Sequence, residues 1–279
     1  MEMQEKKWNL AIVVLNYEAY QETEKCVDSI FSKKIEVAGI VIVDNASKNN
    51  SVPYLRKKYQ CNEKIKIVRS LKNTGFAKGN NLGIKIARRT WNVEFVLLLN
   101  SDTIMLQEDY IERMMKQYQV GTAVIQSNAL RTNKRYTNKT YVHYSLKELL
   151  MNYIKGICDA YDIYCFTYRR KQGDLGPIIS GCDFLLTPYF FKIFQGLYPL
   201  TFLFLEEPIL MIMLRKAGLN SRIAEDAVLL HKESMSTPDN LKMGKNERKK
   251  ILCAGYRHML LVRVLPMWAL KKIVNHGEW

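Results

Sequence analysis

Glu94-Phe95-Val96-Leu97-Leu98-Leu99-Asn100-Ser101-Asp102 is an apolar run that stops abruptly in three polar residues, the last of them an acid. An uninterrupted apolar run of this length reads as a strand buried on both faces, as in the middle of a parallel sheet. Open α/β sheets bind ligands outside the carboxyl ends of such strands. Asp102 therefore stands where a metal or a phosphate-bearing ligand would sit. The same three residues are good turn formers and could serve only to close the strand. The rest of the chain weighs between the two.

Working outward, Trp8 to Asn16 reads as a first buried strand. Gly39 to Val43 is a second, running into Asp44-Asn45-Ala46-Ser47, and Lys64 to Arg69 a third; Gly121 to Ser127 follows the central run as a fifth. Helices are predicted over about 21–32, over 51–59 with Pro53 in the first turn, from the glycine-rich loop 73–83 to Arg89, and over 107–118. Strand and helix alternating in this way predict an α/β fold, a mostly parallel sheet flanked by helices. The turn Asn16-Tyr17-Glu18-Ala19-Tyr20 contains no glycine. Dinucleotide-binding folds and nucleotidyltransferases usually place a glycine-rich phosphate loop there, so both classes are disfavoured.

The second half is less regular. Residues 131–171 are rich in Lys, Arg and Tyr without a clean period, apart from a candidate helix at 147–158. We read 131–175 as an insertion on the open side of the sheet, where long inserts are often functional; a solvated variable loop is the alternative. Gly176 to Thr187 returns to strand character, and Pro188 opens a short helix to about Phe194. Leu203-Phe204-Leu205-Glu206-Glu207-Pro208 precedes a helix from Ile209 to Lys216, stopped by Gly218. Arg222 to Leu230 is a strand ending in His231. Pro208 favours a first helical turn, which places Glu207 at or near an N-cap, where a helix terminus favours the ionised carboxylate. Beyond Leu241 the chain mixes Leu, Val and Trp268 with Lys and Arg, a composition suited to an interfacial helix on an anionic membrane as well as to a solvated helical surface.

The 279 residues are 48% hydrophobic, enough for one large domain with an appendage, and carry a net charge of +15. That charge suits nucleic acid, an anionic membrane or a phosphorylated ligand. Six cysteines form neither a CxxC pair nor a zinc spacing, which points to reduced thiols in a cytosolic protein. The charged start of the chain predicts no signal peptide, and no run reaches the roughly 18 apolar residues of a spanning helix.

Six motifs in order, with a late His231, resemble the family 2 inverting glycosyltransferases with the GT-A fold, especially the rhamnosyltransferase-like branch of bacterial surface polysaccharide (capsule) synthesis. They are LNY at 15–17, VDNAS at 43–47, NTGFAKGNNLG at 73–83, LLLNSD at 97–102, SGCDFLLT at 180–187 and LFLEE at 203–207. The resemblance implies a GT-A domain over 1–236, followed by a basic amphipathic helical extension over 237–279. It implies a donor site built from Asn16, Asp44, Asn45, Asn73, Gly75, Phe76, Asn80, Asn81, Asn100, Ser101 and Asp102, with Asp44 reading the base or ribose. Asp102 looks like the last acid of the DXD motif and His231 like a second ligand for Mn2+ or Mg2+; Asn100 replaces the motif's first acid. Glu206-Glu207 takes the place of the family's Glu-Asp pair, with Glu207 as the expected general base. The implied partners are a UDP- or dTDP-sugar, a saccharide acceptor on a lipid diphosphate, and an anionic membrane, with no nucleic acid. The implied location is cytoplasmic, peripheral at the inner face of the membrane. A catalytically degenerate GT-A scaffold and a basic nucleic-acid-binding protein are the competing readings.

Overall fold

A computed structural model describes residues 8–131, 181–232 and 244–276, with Lys147, Leu150, Met151 and Ile154 between them in helical conformation. Apart from Arg131 and those four residues, the expected insertion at 131–175, with most of the predicted helix 147–158, lies outside the described residues. The strands are β1 (Leu10–Asn16), β2 (Gly39–Asp44), β3 (Ile65–Arg69), β4 (Phe95–Asn100), β5 (Thr103–Met105), β6 (Thr122–Arg131), β7 (Asp183–Leu186) and β8 (Asn220–His231). The helices are α1 (Tyr20–Ser32), α2 (Ser51–Lys58), α3 (Gly75–Trp91), α4 (Tyr110–Met115), α5 (Pro188–Phe191), α6 (Glu206–Lys216), α7 (Lys245–Val264) and α8 (Met267–His276).

One eight-stranded sheet runs in the order β3-β2-β1-β4-β7-β6-β8-β5. Its β3-β2-β1-β4 half is parallel, as the alternation of strands and helices predicts. The other half is mixed: β7 runs antiparallel to β4 and β6, β8 is parallel to β6, and β5 is antiparallel to β8. The sheet is thus less uniformly parallel than expected. Two strands, β7 and β5, run against the other six, and these two reversals make this half mixed.

The strand period of two divides the core. Ile12, Val14, Ile40, Ile42, Leu97 and Leu99 pack into the layer under α1 and α4. Val13, Val41, Val43, Leu98, Phe184 and Leu186 pack into the opposite layer with α3, α5 and α6. That second layer also takes Tyr256, Met259 and Val262 of α7 and Leu270 and Val274 of α8, so both C-terminal helices set an apolar stripe into the main core. Pro266 lies between them, and Asn275 of α8 bonds Gln195 and Ile193. Helix α3 sits close on the sheet because Gly79 and Gly83, four residues apart, face it. A Cβ on Gly83 would lie 2.3 Å from a Val13 methyl, and one on Gly79 2.5 Å from Leu15.

Several element boundaries differ from expectation. Helix α4 covers only Tyr110–Met115, a short strand β5 separates Asp102 from it, and β8 begins two residues earlier, at Asn220. Among the described residues no helix is long and apolar enough to cross a membrane.

Candidate active site

The parallel register brings the polar ends of the strands into line. Asn16, the last residue of β1, pairs with Asp44, the last of β2, and Asp44 with Arg69, the last of β3; Leu15 pairs with Asn100 at the end of β4. Asn16 and Asp44 are fully buried. The Asn16 amide donates to Asp44 Oδ2 at 2.7 Å, Ser47 N–H donates to Asp44 Oδ1 at 3.0 Å, and Thr23 donates to Asn16 Oδ1. Arg69 closes the group, with Nε 3.7 Å from Asp44 and Nη2 donating to the Ser47 carbonyl. Sequence reasoning missed Arg69, although its place as the last residue of β3, matching those of Asn16 and Asp44, was the available signal.

Asn45 ties this group to the 73–75 loop. Its amide donates to Asn73 Oδ1 and the Gly75 carbonyl, and its Oδ1 accepts from Thr74 N–H. Gly75 has φ +82°, and a Cβ there would stand 2.1 Å from the Phe202 carbonyl oxygen, so the position demands glycine. Phe76 N–H donates to that same carbonyl, which joins the loop to the segment leading into α6. The motif then divides. Asn80 donates to Phe76 O, and Asn81 spends both polar atoms on the Leu197 backbone, holding α3 to the loop after α5.

Asp102 and Ser101 are buried at the end of β4, and Asn100 is partly buried. The unforeseen strand β5 pairs Thr103 with His231, bringing the two candidate ligands together from residues far apart in sequence. His231 Nε2 lies 3.3 Å from Asp102 Oδ1 yet makes no hydrogen bond, although it is buried. No cluster of three or more His, Cys, Asp or Glu suited to a metal occurs among the described residues. An oxygen and an imidazole nitrogen fit a divalent ion that takes its remaining ligands from elsewhere.

Glu206 and Glu207 occupy the first turn of α6. The helix begins at Glu206 with Leu205 as its N-cap, so Glu207 stands inside the first turn, two residues beyond the cap. The cause is backbone: Phe204 and Leu205 both adopt left-handed φ, near +69° and +67°, and turn the chain into the helix earlier than Pro208 alone would. Two bulky residues held this way carry strain of order 1–3 kcal/mol each, a cost found most often around functional groups. Ala46, beside Asp44, is left-handed too.

Burial, and secondarily the charge of Glu207, pushes the Glu206 carboxyl up to about 8. Burial also raises Glu207, opposed by hydrogen bonds from its own backbone and from the Gly181 backbone. A Cβ on Gly181 would meet Glu207 Oε1 at 2.5 Å, so glycine there lets the backbone approach the carboxylate. The sequence sets Glu207 at the helix start; the structure places it beside the buried Glu206, which holds the proton at neutral pH.

The pair has a testable consequence. The Glu206 carboxyl is raised in the folded state, so the wild type loses stability as pH rises from its unfolded value, 4.5, to about 8. Glu206→Gln removes that titration. We expect the variant to match the wild type near pH 5 and exceed it by on the order of a few kcal/mol above pH 8. Urea denaturation of both at the two pH values checks this; parallel pH profiles would refute it.

Residues 11–192 match the sequence pattern described as Glycosyl transferase family 2. The chain belongs to that family. The mixed eight-stranded sheet flanked by helices is a GT-A-type fold. Over 104 residues it is 31% identical to the low-salt glycan biosynthesis hexosyltransferase Agl10 of Haloferax volcanii, a match covering 37% of this chain and 31% of Agl10. Among solved structures, GalNAc-T7 with UDP, GalNAc and Mn2+ is similar with a TM-score of 0.58 at 13% identity, over 82% of this chain and 44% of that one. Staphylococcus aureus TarS 1–349 in complex with UDP gives 0.54 at 14% identity, over 95% of this chain and 69% of that one. The chain therefore spans under half of Agl10 and of GalNAc-T7. At such identities the structural likenesses speak for the fold.

Proposed function

We propose that the chain transfers a sugar, with inversion, from a UDP- or dTDP-sugar to a hydroxyl of a saccharide acceptor carried on a lipid diphosphate, in surface polysaccharide synthesis at the inner face of a membrane. The observation that carries the reading is the convergence of Asp102 and His231, a buried carboxylate and an unbonded buried imidazole nitrogen 3.3 Å apart. These two residues would hold Mn2+ or Mg2+, with donor phosphate oxygens and water filling the other positions. The ion, when bound, supplies positive charge against the diphosphate leaving group. That GalNAc-T7 was crystallised with UDP and Mn2+, and TarS with UDP, supports a donor of this class.

The chain's own residues would do the rest. Asn16, Ser47 and Arg69 hold the Asp44 carboxylate for the base or ribose. Asn45 fixes the 73–75 loop beside it. Glu207 takes the proton from the attacking hydroxyl. Glu206, which holds its own proton at neutral pH, stands beside it. Inversion follows from one displacement with one base on the face opposite the leaving group.

A thermal-shift panel of UDP-, dTDP- and GDP-sugars with and without manganese tests the donor site, since a ligand that binds only the folded state raises its melting temperature. We expect one nucleotide to give a shift that depends on manganese, because Asp102 and His231 leave the ion's other positions to donor phosphate and water. A shift indifferent to the metal would remove Asp102 and His231 from the donor site.

A further inference from the structure

A cavity of about 970 Å³ opens between the end of β3, Thr74, Lys78 and Leu82 at the start of α3, the 199–200 segment and α8. Arg69, Lys72, Lys78, Lys272 and His276 line it, and no acid does. Its apolar lining includes Leu71 and Leu200, and these are not ordinary wall residues. Leu71 is fully exposed at 105% of its reference area, and Leu200 is 46% exposed. Helix α8 carries the surface onward. Leu270 and Val274 are fully buried in the core, while Trp268, one turn before Lys272 on the same side, is 72% exposed. Basic side chains around a cavity, with exposed Leu and Trp at its margin, form a surface that a water-facing role does not explain.

We propose that this groove seats the phosphate headgroup of an anionic phospholipid in a bilayer, with Leu71, Leu200 and Trp268 entering the apolar layer beneath the headgroups. The charge selects the occupant. Arg69, Lys72, Lys78 and Lys272, with no acid among the lining residues, attract phosphate, and each Lys near an anionic surface strengthens binding about fivefold. The apolar margin separates a bilayer from a free anion, since Leu71 gains nothing from phosphate in water. Trp at the headgroup level and Lys beside it are the side chains that interfaces favour. Arg69 reaches from the groove to Asp44, so a docked headgroup would lie directly behind the nucleotide wall. The inference rests on the reading that the enzyme works at a membrane and gives that contact a definite surface.

Flotation of the full chain with vesicles of phosphatidylcholine alone, and of phosphatidylcholine with phosphatidylglycerol, tests it. We expect binding to the anionic vesicles only. Lys72→Glu with Lys272→Glu should weaken it at least tenfold. Leu71→Ser with Trp268→Ser should weaken it comparably, at low salt as well as high. The manganese-dependent nucleotide shift should persist in both, which separates this surface from the donor site. Lys249→Glu with Lys250→Glu on α7 makes the same charge change outside the groove and should retain most binding. Equal loss in that control would mean diffuse attraction and overturn the groove. Variants that bind as the wild type does would overturn it too, leaving the membrane reading intact, whereas a wild type that ignores anionic vesicles would overturn both. A stabilising shift by inorganic pyrophosphate that needs Lys72 and Lys272, with vesicle binding unchanged in their variants, would reassign the groove to a soluble anion.

Discussion

Replacing Glu207 with glutamine lowers sugar transfer by about 10²–10⁴-fold, the contribution expected of a positioned general base, while the donor still binds. The size follows from what the acceptor hydroxyl requires. It attacks poorly as a neutral alcohol, so its proton must leave as the new bond forms, and a carboxamide cannot take it. Glutamine keeps the length of the side chain and can still meet the Gly181 backbone, so geometry is preserved and proton acceptance alone is lost. The pair predicts an asymmetry. Glu206 holds the proton at neutral pH because it is buried and lies beside the Glu207 charge. Glu206→Gln resembles that protonated state and should keep most transfer activity at pH 7. Single-turnover transfer, with donor affinity measured separately by thermal shift, distinguishes the two variants. Collapse of transfer in Glu206→Gln alone would reverse the roles, and loss of donor binding in Glu207→Gln would make Glu207 a binding residue.

The parallel half of the fold was legible because its physics is local. An uninterrupted apolar strand such as Phe95–Leu99 declares burial on both faces, and a polar residue closing it marks the rim of the sheet. Asn16, Asp44 and Asn100 could be read in this way, and Arg69 could have been. What was not legible depends on contacts between distant segments. Strand β5 is three residues long, too short for any period, and exists because Thr103–Met105 pairs with Leu229–His231. Without it Asp102 and His231 remain two unrelated residues in the sequence. The start of α6 was misplaced for a similar reason. Pro208 is a real helix-start signal, but the left-handed turn at Phe204 and Leu205 overrides it, and Gly255 on α7 makes room for the Leu205 side chain. Nor does the motif around Asn73–Gly83 reveal that Asn81 is a packing clamp. Its partner Leu197 lies 116 residues away.

Asp102→Ala is expected to abolish the metal-dependent part of donor binding and to reduce transfer by several kcal/mol of barrier, about 10²–10⁴-fold. On the proposed reading Asn100 stands in place of the motif's first acid, so Asp102 would bring the motif's one negative charge to the ion. His231→Ala should cost less. It removes a neutral ligand and leaves the charge, and higher manganese should restore part of its activity, whereas Asp102→Ala should stay inactive. The fold should survive both changes. The backbone bond from Lys232 N–H to the Asp102 carbonyl is independent of the side chain, and β5 stays paired with β8 through the main chain. Manganese titrations of the nucleotide-induced thermal shift in the wild type and the two variants give the comparison. A wild-type response in Asp102→Ala, with the melting temperature of the free protein unchanged, would take the metal away from β4. Catalysis would then have to draw its positive charge from basic residues such as Arg69, beside the Asp44 end of the same row.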